Sequence, residues 1–228
     1  MLYLIPALLL ITFIFGPQFW AQYTFHRYAK PLSRIPGTGA ELARHLLDRF
    51  EMGHVKVEVA QATGDHYDPD GKTVRLSKSN YENNSLTAIA VAAHEVGHAI
   101  QHHKGEKMLA LRSKLVTSTN RIQKLGTTAV LLMPIIILIS HNPRFGIVML
   151  ILGVASMFLG TLVHLVTLPV EIDASFGKAL PILIKGGYIE NEDERVVRSI
   201  LKAAALTYLA ASLASLLNFW RWLAVFRR

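Results

Sequence analysis

His94-Glu95-Val96-Gly97-His98 decides how this chain is read. Successive residues of an α-helix turn by about 100°, so two histidines four apart share one face and can grip one Zn²⁺. Glu95 then stands beside the metal, where it can take a proton from a water. In a chain of 228 residues with 10 His, chance alone would produce this pattern in roughly 2% of shuffled sequences, so the match carries weight. Its surroundings favour a helix: Ser85 suits the N-cap, and Leu86 to Ala93 is a strong helix-forming run. The competing reading is a solvated pair of histidines beside an incidental glutamate.

Working back from the motif, the preceding segment reads as a small polar unit. His26 to Pro36 is a basic linker broken by Pro31 and Pro36. Thr38 to Arg49 reads as an amphipathic helix, with Thr38 as cap, Glu41 completing a capping box, and Leu42, Leu46 and Leu47 on the apolar face. Val55 to Val59 and Lys72 to Leu76 alternate as strands do, separated by a stretch from Thr63 to Gly71 dense in turn residues. Strand, turn, strand and metal-binding helix together predict a minimal α+β zincin. The open edge of strand Lys72–Leu76 is a place where an extended substrate backbone would pair.

Composition points to a lipid bilayer as a partner. The chain is 51% apolar, with a mean hydropathy of +0.32, above what a soluble domain usually carries. Four apolar runs, Leu2 to Trp20, Leu125 to Ser140, Phe145 to Leu168 and Ala203 to Phe226, are long enough or nearly so to cross about 30 Å of hydrocarbon. The expectation is therefore a mainly α integral membrane protein with about four transmembrane helices and a small zincin-like unit at the membrane face. Its parts are an anchor (1–20), the polar zincin-like region (21–124), a transmembrane hairpin (125–168), a polar segment with the third ligand (169–202) and a C-terminal transmembrane or re-entrant helix (203–228). The first run has no basic n-region or small-residue cleavage site, and reads as a retained anchor.

Of the 24 Lys and Arg residues, 20 lie in residues 21–124 and 169–202, whereas the turn between the second and third runs has only Arg144. The positive-inside tendency places both polar segments in the cytoplasm, in a multi-pass protein of the cell membrane. A net charge of +8 suits an anionic membrane surface. Nucleic acid is not the expected partner, because the charges are scattered and no binding motif accompanies them. Zero cysteines exclude disulfides, thiolate ligands and a cysteine nucleophile.

A catalytic zinc needs a third protein ligand and an open fourth position. Glu171, in Leu168-Pro169-Val170-Glu171-Ile172-Asp173-Ala174-Ser175, is the candidate, on a new helix that Pro169 would open. The alternative is a carboxylate that merely favours the helix dipole. Asp173 lies about 200° around the helix from Glu171 and would need different geometry to replace it. His66, Tyr67, His102 and His164 are possible oxyanion donors, while Asp68-Pro69-Asp70-Gly71 reads as a turn and not as a cation site.

Three motifs in order, Asp65-His66-Tyr67-Asp68-Pro69, His94 to Gln101, and Leu168 to Ser175, make the chain resemble the YugP-type membrane zinc metallopeptidases along nearly its whole length. That family is distantly similar to the HtpX-like and CAAX prenyl peptidases, where a Glu-x-x-Ala-Asp segment supplies the third ligand. Glu171 and Ala174 match that segment, whereas Ser175 stands where the family pattern has Asp. The resemblance implies a zinc peptidase with His94, His98 and Glu171 as metal ligands and Glu95 as the catalytic base. The expected function is a membrane-bound endopeptidase acting on membrane or membrane-proximal proteins and peptides. A metal-binding membrane adaptor without activity is the alternative, and a small transporter a more distant one, since few ionisable residues lie in the apolar runs.

Overall fold

In the computed structural model, residues 4–61 and 64–206 are described. Helix α1 (Leu4–Arg27) leads into α2 (Gly39–Arg49), followed by strands β1 (Lys56–Val59), β2 (His66–Asp68) and β3 (Thr73–Leu76). Then come α3 (Lys78–Glu82), the motif helix α4 (Leu86–His103), and the long helices α5 (Lys107–Ser140) and α6 (Pro143–Ile172). A π-helical segment, Asp173–Ala179, continues α6 and runs into α7 (Leu180–Lys185), and residues 194–206 form a further helical stretch, α8.

The chain divides into two units. One comprises Gly16–Ala110 together with the described residues from Leu168 onward, and the other contains Leu111–Thr167. In the first unit α4 is central, with every residue from Leu86 to Gln101 buried. A helix apolar all round belongs inside a core, and α4 is covered by α2, the sheet and the π segment. Leu42, Leu46 and Leu47 of α2 pack there with Val74 and Leu76 of β3, Val96 of α4, Leu183 of α7, and Val197 and Ile200 of α8.

Local signals in the sequence set these elements. Thr38 Oγ1 accepts the Glu41 N–H at 3.2 Å, while the Thr38 N–H donates to Glu41 Oε2 at 2.8 Å, closing the capping box of α2. Ser85 Oγ accepts the Ala88 N–H at 3.1 Å at the start of α4. Asp65 Oδ1 accepts from the Ser77 N–H (2.7 Å) and hydroxyl (3.0 Å), and its Oδ2 accepts from Asn80 Nδ2 (2.9 Å), which staples the loop before β2 to the start of α3.

The sheet runs in the order β1-β3-β2, with β1 parallel and β2 antiparallel to β3. Two expectations change here. His66–Asp68 is a strand where the sequence reads as a turn: three residues are too few to display alternation, and pairing with β3 supplies what local pattern lacks. β3 is the central strand, so the edge expected at Lys72–Leu76 is already taken on both sides.

The expectation of about four transmembrane helices is also corrected. Among the described residues one helix, α5, is long and apolar enough to cross a membrane, and only 11% of its apolar window is buried. Its neighbour offers a shorter apolar stretch, Arg144–Gly153. Hydropathy marks apolar stretches but does not fix where a helix ends or what its ends pack against. In α1, Ala21 and Thr24 at the C-terminal end are buried, and Phe25 packs on the core of the first unit. α6 does not stop at Leu168 but passes through Pro169, where a new helix was expected, and carries Val170 and Glu171 into that interior. The fourth run lies mostly in residues 207–228, outside the described residues; Ala203, Ala204 and Ala205 at its start are buried.

In the second unit, α5 and α6 meet through small residues. A Cβ on Gly126 would fall 2.1 Å from Ser156 Oγ, and one on Gly153 2.3 Å from Val130 Cγ2. Close backbone approach of this kind is how helices associate where lipid offers no hydrophobic drive. Leu125, Leu131, Leu138 and Ile139 of α5 remain exposed.

Two predictions test this packing. Leu46→Ala, at a fully buried position, should cost about 2–5 kcal/mol in thermal or denaturant unfolding; a cost under about 1 kcal/mol would contradict the core described. Gly97→Ala places a Cβ 2.7 Å from the Ala174 carbonyl oxygen. It should destabilise the chain by about 1–3 kcal/mol and weaken metal binding, whereas unchanged stability would show that the two backbones can move apart freely.

Candidate metal centre

α4 delivers two imidazoles and the end of α6 delivers one carboxylate. His94 Nε2 lies 3.4 Å, and His98 Nε2 3.3 Å, from Glu171 Oε2. The two rings are nearly perpendicular, at 79°, with centroids 4.8 Å apart. Glu171 is 0% exposed, His98 3%, His94 4% and the adjacent Glu95 6%. Gly97 makes the arrangement possible, since only a residue without a Cβ lets the backbone of α4 approach Ala174 so closely.

These donors fit a metal ion. Bonds of about 2.0–2.1 Å in a tetrahedral zinc shell put neighbouring ligand atoms about 3.3–3.4 Å apart, which matches both nitrogen-to-oxygen distances. All three ligand atoms lie within 4.8 Å of one another. A carboxylate with no exposure is costly to ionise unless it is paired or coordinates a cation. Two imidazole nitrogens and a carboxylate oxygen also match the donor set of a hydrolytic zinc site with an open fourth position.

A ring of hydrogen bonds holds the donors. Ser175 Oγ lies 2.9 Å from His94 Nδ1 and donates to the Leu201 carbonyl at 3.1 Å. Gln101 Oε1 lies 2.9 Å from His98 Nδ1, while Gln101 Nε2 donates to the Val170 carbonyl (3.0 Å) and to Asp173 Oδ2 (2.7 Å). Lys178 pairs with Asp173 and lies 2.9 Å from Glu106 Oε1. Burial pushes the Asp173 carboxyl up, but hydrogen bonds from Lys178 and Gln101 outweigh it and hold it below the usual carboxylate range.

Sequence reasoning missed Gln101 and Ser175 as partners of the histidines. A signal existed for each: Gln101 sits one turn after His98, and Ser175 one turn after Glu171, so both share a face with a donor. The position where the family pattern has Asp is thus filled by a hydroxyl that reaches His94 Nδ1.

The other candidates do different things. Tyr67 Oη and His102 Nδ1 lie 2.8 Å apart, joining edge strand β2 to α4. Burial, with help from the Asp68 charge, pushes the Tyr67 phenol up to about 12, so it stays a neutral hydroxyl. His66 Nδ1 lies 2.9 Å from the Gly64 carbonyl, in the loop entering β2. His164 falls on α6 with its side chain outside the described residues. Asp68 Oδ1 accepts the N–H groups of Asp70 and Gly71, both at 3.1 Å, and its Oδ2 takes Arg75 Nη1 at 2.6 Å. That carboxylate is therefore spent on closing a turn, and the Arg75 hydrogen bond holds it below the usual carboxylate range.

Comparison with known proteins agrees with this geometry. Residues 1–227 match the family model described as "Putative neutral zinc metallopeptidase". The chain is 39% identical over 216 residues to a Bacillus subtilis (strain 168) protein named "Putative membrane protease YugP", and the match covers 92% of each. No solved structure matches the chain. A family model that spans the chain, a relative this similar over nearly its full length and a buried His-His-Glu cluster lead to one conclusion: the chain belongs to the family so described, with zinc as its cofactor.

Proposed function

We propose that this protein is a membrane-bound zinc endopeptidase that cleaves membrane-associated proteins or peptides, with the chemistry on the cytoplasmic side. The observation that carries the reading is the meeting of three buried donors from two distant stretches of chain, at the spacing zinc requires. His94, His98 and Glu171 hold the metal. Bound there, zinc supplies a Lewis acid that polarises the scissile carbonyl and makes a water more acidic. Glu95, one residue along α4 from His94, takes that water's proton on its carboxylate and passes it to the departing amine nitrogen. A site with a purely structural metal has no need of this carboxylate, which favours an enzyme over an adaptor.

Membrane attachment is supported by the length and exposed apolar surface of α5, and by a relative that is itself named as a membrane protease. The concentration of Lys and Arg in residues 21–124 and 169–202 favours the cytoplasmic side.

Glu95→Gln tests the mechanism. The variant should keep its zinc while losing about 10²–10⁴-fold in turnover of a bilayer-anchored fluorogenic peptide. Undiminished cleavage would remove Glu95 from the reaction, and no cleavage by the native chain on a broad panel of anchored peptides would favour the adaptor.

A further inference from the structure

Residues 107–170 contain no Asp or Glu, yet Lys107, Arg112, Lys114, Arg121 and Lys124 crowd the first half of α5. Of these, Lys114, Arg121 and Lys124 are exposed and make no ion pair among the described residues. Residues 1–40 and 195–228 are also without a carboxylate side chain. The apolar runs and their flanks therefore cannot neutralise these three cations.

Their placement on the helix is not scattered. Gly126 and Met133 mark the side of α5 that meets α6, since Gly126 lies against Ser156 and Met133 near Gly146. At 100° per residue, Lys124, Arg121 and Lys114 lie about 160°, 220° and 240° around the helix from Gly126. They form one stripe within about 80° of arc, turned away from α6.

Depth gives the stripe its partner. From Leu125 to the end of α5 at Ser140 the helix rises only about 24 Å, whereas the hydrocarbon of a bilayer is about 30 Å thick. A full crossing reaches back about four residues further, to Arg121. Arg121 and Lys124 are then at the hydrocarbon edge, where a charge is tolerated only if its long side chain extends to the headgroups. Helical side chains lean toward the N-terminus, which for α5 is the direction out of the hydrocarbon. Lys114, about 10 Å further out, is within about a Debye length of that layer.

We propose that Lys114, Arg121 and Lys124 form a docking stripe for anionic phospholipids, whose phosphates supply the counter-charge that this part of the chain lacks. The inference rests on reading α5 as a membrane span. Guanidinium and ammonium groups donate to phosphate oxygens in charge-assisted hydrogen bonds. The exposed Leu125, Leu131, Leu138 and Ile139 of the same helix offer acyl chains an apolar surface below the headgroups. The stripe thus selects a lipid by charge at a fixed depth.

The test is electron spin resonance of spin-labelled lipids added to the full chain reconstituted in phosphatidylcholine vesicles. Spin-labelled phosphatidylglycerol should associate with the native chain about 5-fold more strongly than spin-labelled phosphatidylcholine. Lys114→Gln, Arg121→Gln and Lys124→Gln together should bring that ratio close to one. Lys56→Gln, Lys72→Gln and Lys185→Gln remove equal charge from exposed positions in the first unit and should leave the ratio as it was. A preference that survives loss of the stripe, or disappears in the second triple variant, would overturn the proposal. Equal association of both lipids with the native chain would do the same, and would leave the stripe to an acidic protein partner. A native chain released from the vesicles by alkaline carbonate would overturn the membrane reading and the stripe together, whereas a retained chain without preference overturns the stripe alone.

Discussion

The site depends on one close approach, that of the α4 backbone at Gly97 to the π segment at Ala174. That contact brings two stretches more than seventy residues apart to within a Cβ of touching. It sets Glu171 against both histidines and Ser175 against His94. An uninterrupted α-helix continuing α6 would present its side chains at a fixed 100° per residue. The π turns that begin at Asp173 widen the helix and change that phase, a departure often found where a helix has a functional task. Fold and chemistry therefore meet at a glycine that takes part in neither binding nor proton transfer.

Around that contact the interior is polar where a core is usually apolar. Gln101, Ser175, Glu171, His94 and His98 are all almost completely buried, and hydrogen bonds link the histidines to their supports. Such a web is stabilising when its members are satisfied and costly when one is removed, because the groups left behind lose a partner in a medium of low dielectric. The chain of Glu106, Lys178, Asp173 and Gln101 runs from the link between α4 and α5 to His98, so a charge pair near solvent helps to aim a buried ring.

Much of the first unit was legible because its signals are local. The capping box at Thr38 and Glu41, the Ser85 cap, the alternation of β1 and β3 and the histidine spacing all act within a few residues. What was not legible depends on partners distant in sequence. β2 exists because β3 lies beside it, and Pro169 is carried inside a helix because the surrounding chain holds that helix in place. Ser175 could not be assigned from the family pattern, which has Asp there, because its partners, His94 Nδ1 and the Leu201 carbonyl, come from elements distant in sequence. Hydropathy also misplaced helix ends: α1 runs on past Trp20 and α6 past Leu168, and Ala21, Thr24, Val170 and Glu171, beyond those limits, are buried in the first unit.

Zinc-edge X-ray absorption on the purified chain and on Glu171→Ala examines the central claim most directly. The account predicts that the native protein shows two imidazole nitrogens and light oxygen donors at about 2.0–2.1 Å. It also predicts that the variant loses the metal or the carboxylate contribution. A native coordination shell without imidazole, or one unaltered by removal of Glu171, would contradict it.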